Sequence, residues 1–133
     1  MKTRNVQNYI WVAAGGATGA VLRYLSDVLI GLAVPNTYLF TPVMFVNIAG
    51  SYMIGLLYFG LTKGKISSQK MELFFITGLV ASFTTYSGYS VEAFEIFREF
   101  GFIFLIYIIV QFVLGIFSLS LGLWTGRKLF AKI

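Results

Sequence analysis

Four features of this chain put polar groups where hydrocarbon is expected. They are Arg23 in GGATGAVLRY, Asn47 in VNIAGSY, Gln111 in an apolar run, and the stretch ASFTTYSGYS from Ala81 to Ser90. The chain has no cysteine and no histidine. Thiol chemistry, disulfides, thiolate metal sites and the commonest proton shuttle are therefore ruled out. What remains is two uncharged amides, the hydroxyls of Ser82, Thr84, Thr85, Ser87 and Ser90, the phenols of Tyr86 and Tyr89, and one guanidinium. These groups offer uncharged hydrogen-bond donors and acceptors and one positive charge.

Each group also has a plainer role open to it. The Asn47 amide, with two N–H donors, either cross-links two helices or coordinates a dehydrated anion. Arg23 either snorkels toward lipid headgroups or draws anions into an aqueous vestibule. Tyr86 and Tyr89 are three residues apart and share a helix face. They form either a packing stripe or a pair of ring edges, the positive end of the aromatic quadrupole, turned toward an anion. The hydroxyls, with Gly88 among them, suit a helix that breaks inside the membrane, where they recapture freed backbone groups. Such a break lines a cavity or binds an ion. Its carbonyls suit a hard cation such as Na⁺, and its N–H groups an anion. Gln111 is open to both kinds of role, whereas Ser118 and Ser120 read as structural hydroxyls bonded back to their own helix.

The elements that position these groups follow from composition. The 133 residues are 58% hydrophobic and 11% charged, against about one-quarter charged in a soluble domain. Too little polar surface exists to cover a globule in water, so the medium is a bilayer. Four apolar segments approach the roughly 20 residues a spanning helix needs: Tyr9 to Val34, Leu39 to Leu61, Leu73 to Val91, and Gly101 to Trp124. Pro35 and Pro42 mark the break before the second. The apolar core IWVAA is too short for a cleaved signal. No repeat or linker divides residues 1–133, which read as a single four-helix transmembrane domain, all-α, whose third helix is either an unbroken packing stripe or, as its hydroxyls also suit, broken near the bilayer midplane.

Charge sets the orientation. Lys2, Arg4, Lys63, Lys65, Lys70, Arg127, Lys128 and Lys132 fall on one side, whereas Arg23 and Arg98 fall on the other beside Asp27, Glu92, Glu95 and Glu99. Cytoplasmic connectors carry the basic excess, so both termini are expected in the cytoplasm of a cell-membrane protein. A net charge of +5 spread over short connectors suits orientation rather than nucleic acid. Four helices are few for a conduction path, and an oligomer, most simply a dimer, is expected.

The blocks GGATGAVLRY, VNIAGSYMIG and GLVASFTTYSGYSVE occur in that order. Together they resemble the Fluc, or CrcB, fluoride channels. That family has Gly-x-x-x-Arg-(Tyr/Trp) closing its first helix, Asn-x-x-Gly-Ser-Phe in its second and Gly-Gly-Leu-Thr-Thr-Phe-Ser-Thr-Phe-Ser in its third. The resemblance covers essentially the whole chain. It implies an antiparallel, dual-topology-type dimer with two fluoride pores along the interface, exporting fluoride passively. It also implies a structural Na⁺ at the centre of that interface, held by backbone carbonyls of the broken helix. By motif, the Na⁺ carbonyls fall on Ala81 and Thr84, the pore amide on Asn47, the pore aromatics on Tyr86 and Tyr89, and the vestibule cation on Arg23. Thr85 and Ser87 join the polar lining, and Glu92 matches a glutamate near the pore mouth.

The chain departs from the pattern at several points. Ala81 and Ser82 replace Gly-Gly, and a dihedral that only glycine tolerates would not carry over to Ala81. Tyrosines replace both pore phenylalanines, Gly88 stands for a threonine, and Gln111 stands where serine is frequent. The eight-to-two charge split also disfavours a chain that inserts both ways, which favours a heterodimer with an oppositely oriented paralogue over a homodimer. Two other classes compete: a small four-helix proton-coupled multidrug exporter, which needs an embedded carboxylate in its substrate site, and a non-transporting assembly subunit.

Overall fold

The computed structural model describes residues 2–34, 40–62 and 68–131, with side chains for 6–34, 40–61 and 68–130. All regular structure among these residues is helical: α1 (Lys2–Ala33), α2 (Pro42–Thr62), α3 (Gln69–Glu72), a π-helical segment (Leu73–Val80), α4 (Ala81–Phe83), α5 (Tyr86–Phe100) and α6 (Ile103–Ala131). Pro35, Leu39, Lys63, Lys65 and Lys132 lie outside the described residues.

Helix α2 begins at Pro42 because Thr41 caps it. The Met44 N–H donates to Thr41 Oγ1 at 3.1 Å, and proline at the first helical position loses an N–H that had no partner there anyway. Pro42 therefore opens the second helix and does not precede it. The spans Pro42–Leu61 and Ile103–Phe130 are long and apolar enough to cross a membrane, and only 6% of the apolar window of α6 is buried inside the chain. Ile109, Phe112 and Phe117 are exposed on it. A surface of this kind is stable against lipid or another apolar chain, not against water.

Two close helix pairs carry the architecture: α1 against the π segment, and α2 against α6. Both depend on absent side chains. A Cβ at Gly78 would lie 2.7 Å from the Val12 carbonyl oxygen and 2.9 Å from Gly15 Cα. On α6, a Cβ at Gly122 would lie 3.1 Å from the Leu56 nitrogen. Small residues let backbones pack this closely where no hydrophobic effect drives association.

The third expected helix is present and broken. Fifteen residues run from Gln69 to Phe83 and fifteen from Tyr86 to Phe100. Between them Thr84 (φ −77°, ψ 156°) and Thr85 (φ −146°, ψ 120°) are extended. The break thus lies at the centre of this arm. The arm also runs past Val91, because the amphipathic stretch through Glu92, Glu95 and Glu99 continues as helix. It ends at Gly101, whose φ of +59° makes the turn. Gly101 is therefore the corner between α5 and α6, not the start of the fourth span, and α6 extends beyond Trp124 to Ala131. At this end Met44, Ala93, Ile96 and Tyr107 form a buried cluster, with Tyr107 fully enclosed.

Candidate functional site

The break leaves backbone groups that a continuous helix would have paired, and the site is built from how they are satisfied. In a continuous helix the Thr85 N–H would donate to the Ala81 carbonyl. Here it donates to Asn47 Oδ1 at 2.8 Å, and Asn47 Nδ2 donates back to the Thr85 carbonyl at 3.0 Å. The side chain on α2 thus pairs with the extended residue as a neighbouring strand would. These two bonds use the amide oxygen and one of its two N–H groups. Of the two roles open to Asn47, the structure contains the cross-link, and the second N–H has no partner among the described residues.

Most of the hydroxyl cluster serves the same break. Thr85 Oγ1 accepts from the Gly88 N–H at 3.0 Å, capping α5, and lies 3.2 Å from Ser87 Oγ. Thr84 Oγ1 donates to the Val80 carbonyl at 3.1 Å, and Ser90 Oγ to the Tyr86 carbonyl at 3.0 Å. Ser120 bonds back to its own helix at Ile116. Ser118, however, reaches across to the Ile48 carbonyl of α2 at 2.8 Å, so it ties α6 to α2 rather than to itself.

Beside the break runs a groove of about 500 Å³, walled by Asn47 and Ser51 of α2, Thr84 and Thr85, Tyr86 and Tyr89 of α5, and Gln111, Phe112 and Gly115 of α6. Six of the residues singled out by sequence meet there: Asn47, Thr84, Thr85, Tyr86, Tyr89 and Gln111. The Tyr86 and Tyr89 rings are 6.0 Å apart and tilted by 46°, as their three-residue spacing requires. Tyr86 is 82% exposed. Tyr89 stacks on Tyr107 at 5.6 Å.

The other four candidates lie elsewhere. Ser87 belongs to the α5 cap. Glu92 is held beside the core, its Oε2 accepting from Thr41 Oγ1 at 2.6 Å and from the Tyr107 hydroxyl at 2.7 Å. Arg23 is on α1, which contributes nothing to the groove wall. Its Nε is buried without a partner among the described residues, as is Asp27 Oδ1 one turn on. Ala81 is exposed on α4, with φ −64° and ψ −31°. These are ordinary right-handed helical values, so alanine meets the backbone requirement there and no glycine-only dihedral arises. Because the Thr85 N–H is drawn to Asn47, the Ala81 carbonyl lacks its usual helical donor. Carbonyls released in this way fit a hard cation in donor type.

Sequence reasoning passed over Ser51, Thr41, Tyr107 and Gly115. Ser51 follows Asn47 by one helical turn and Tyr107 precedes Gln111 by one, so the four-residue spacing that defines a helix face marked both. The Thr-Pro pair at 41–42 is a helix-start signal.

A family model described as CrcB-like protein, Camphor Resistance (CrcB), matches residues 10–123. The fluoride-specific ion channel FluC of Agrobacterium fabrum is 41% identical over 126 residues, covering 92% of this chain and 98% of the relative. That of Hyphomonas neptunium is 39% identical over 134 residues, covering 95% and 100%. That of Aquifex aeolicus is 35% identical over 123 residues, covering 89% and 95%.

Proposed function

This chain belongs to the CrcB-like protein family, and on that premise we propose that it is a subunit of a fluoride-specific ion channel. It lets fluoride leave the cytoplasm down its electrochemical gradient. It is a membrane protein and not an enzyme. The observation that carries the reading is the groove at the helix break, where an amide, two phenols and the backbone turn of Thr84–Thr85 converge between apolar walls.

The physical task is to replace water around a small, strongly hydrated anion. Uncharged donors do this without trapping the ion: the remaining Asn47 N–H, the hydroxyls and ring edges of Tyr86 and Tyr89, and the hydroxyl surface of Thr85. Arg23 raises the local concentration of anions on approach. The carbonyls of Ala81 and Thr84 would hold a Na⁺ at the centre of the dimer, supplying positive charge that offsets the cost of taking an anion out of water. Thr84 keeps its side chain turned back on Val80, leaving its carbonyl for that use. Ser87 and Glu92 act beside the pathway, one as a cap neighbour and the other as the acceptor that Thr41 and Tyr107 share.

The pathway is completed by a second subunit in antiparallel orientation, because the groove and the apolar face of α6 are open on the chain alone. The eight-to-two split of basic residues favours an opposed paralogue over a second copy, and favours cytoplasmic termini. The proton-coupled exporter reading lacks support, because no groove-lining residue carries a carboxylate and Glu92 is committed elsewhere. The test is fluoride efflux from liposomes, with and without the paralogue. Asn47→Ala should abolish efflux, whereas an assembly subunit would leave it unchanged.

A further inference from the structure

Asp27 lies on α1 one helical turn beyond Arg23, and the channel reading gives it no task. Residues four apart on a helix are neighbours, so the two share a face, and that face is the inner one. It starts at Gly15 and Gly19, where a Cβ would run into the backbone of Phe74 and Leu79. It continues through Arg23 and Asp27, both half-buried. Tyr24, Leu25, Val28 and Leu29, beside them on the same helix, are exposed and turn outward. Arg23 therefore faces the chain and does not snorkel away from it.

Both side chains have an atom enclosed by the protein, Arg23 Nε and Asp27 Oδ1, with no hydrogen-bond partner among the described residues. A half-buried guanidinium is costly without an opposite charge nearby. Asp27 supplies one, and the two charges are close enough to attract. The same carboxylate is close enough to Glu92 of α5 to repel it, which sets Asp27 at the end of the molecule where Thr41 and Tyr107 hold Glu92. The terminal nitrogens of Arg23 are not among the enclosed atoms. The head of that side chain thus stays open to an arriving anion, while a negative charge sits one turn away.

We propose that Asp27 is the counter-charge of Arg23, offsetting the field that draws anions toward the groove and so limiting the fluoride flux this subunit supports. The inference rests on the fluoride-channel reading, in which Arg23 gathers anions on their approach. Asp27 is a positioning residue in that scheme. It touches no ion and acts through the charge that the ion meets. An arginine is thereby kept half-buried on α1, and the attraction it exerts is weaker than that of an unpaired charge.

The experiment uses the whole protein in the dimer that conducts, in planar bilayers at low fluoride, with ionic strength set by a salt whose anion does not permeate. Asp27→Asn and Asp27→Ser remove the charge, and Asp27→Glu keeps it. A unit charge ~10 Å from an ion in water changes its local concentration about twofold. Both neutral variants should therefore carry about twice the wild-type current at low salt. At about 1 M salt, where the screening length is about 3 Å, their current should match wild type, and Asp27→Glu should match it throughout. Wild-type current in the neutral variants at low salt would overturn the inference while leaving the channel reading intact. A change that persists undiminished at high salt would overturn it too, because a purely structural effect is not screened. Loss of the dimer in both neutral variants would also overturn it, since the carboxylate would then serve the fold. Absence of fluoride current in the wild-type dimer would defeat the channel reading itself, and the counter-charge with it.

Discussion

Replacing Asn47 with aspartate separates the two things this residue is asked to do. Its amide oxygen accepts from the Thr85 N–H at 2.8 Å, and its N–H donates to the Thr85 carbonyl at 3.0 Å. Aspartate has nearly the same shape. One carboxylate oxygen keeps the first bond, whereas the other turns a second acceptor toward the Thr85 carbonyl. Losing that bond costs ~1–3 kcal/mol of stability. The effect on an anion pathway is larger. Two unit negative charges ~4 Å apart repel by ~4 kcal/mol at an effective dielectric of about 20, equivalent to about a thousandfold in rate. The assay is initial fluoride efflux from liposomes, read with a fluoride electrode, with size-exclusion chromatography to establish that the Asn47→Asp dimer is intact. Efflux within about tenfold of wild type from an intact dimer would mean that Asn47 only clamps the break, and would refute its role as an ion-facing donor.

Other substitutions test the frame around the groove. Gly78→Ala drives a methyl into the Val12 carbonyl and the backbone at Gly15. It should cost about 1–3 kcal/mol, visible as a lower melting temperature in detergent. Thr41→Val removes both the α2 cap and a donor to Glu92, and should destabilise by about 1–3 kcal/mol in chemical denaturation. Tyr86 is 82% exposed and its hydroxyl has no hydrogen-bond partner among the described residues, so Tyr86→Phe should leave stability within about 0.5 kcal/mol, and any change in flux would belong to the pathway. The chain has no cysteine, so Lys128→Cys gives a single label. Reaction with a membrane-impermeant thiol reagent from the cytoplasmic side only would establish one orientation, and labelling from both sides would contradict the predicted bias.

The elements were legible to different degrees. The two cleanest spans could be read directly, because α2 and α6 are long, apolar and nearly free of charge. The hydroxyls alone left the helix break open against an unbroken packing stripe, because side chains that bond to backbone suit both, and the family resemblance pointed to the break. The arm's extension to Phe100 was not legible, because charged residues such as Glu92, Glu95 and Glu99 mimic a connector while forming the polar face of α5. Asn47 was readable as important but not as a partner of Thr85, a contact 38 residues away that only packing of α2 on the break creates. Glu92 carried the right chemistry but sits beside the core cluster, because Thr41 and Tyr107 both point hydroxyls at it. The backbone angles at Ala81 could not be read from residue type, and they remove the objection to alanine at that position.

The most direct test is fluoride-electrode recording of efflux from liposomes holding this chain together with an oppositely oriented paralogue, in wild-type and Asn47→Asp forms. The account predicts rapid fluoride release once the membrane potential is clamped with a potassium ionophore, and its loss in the variant. Liposomes that retain their fluoride with both subunits present, or that release it equally with aspartate at position 47, would contradict it.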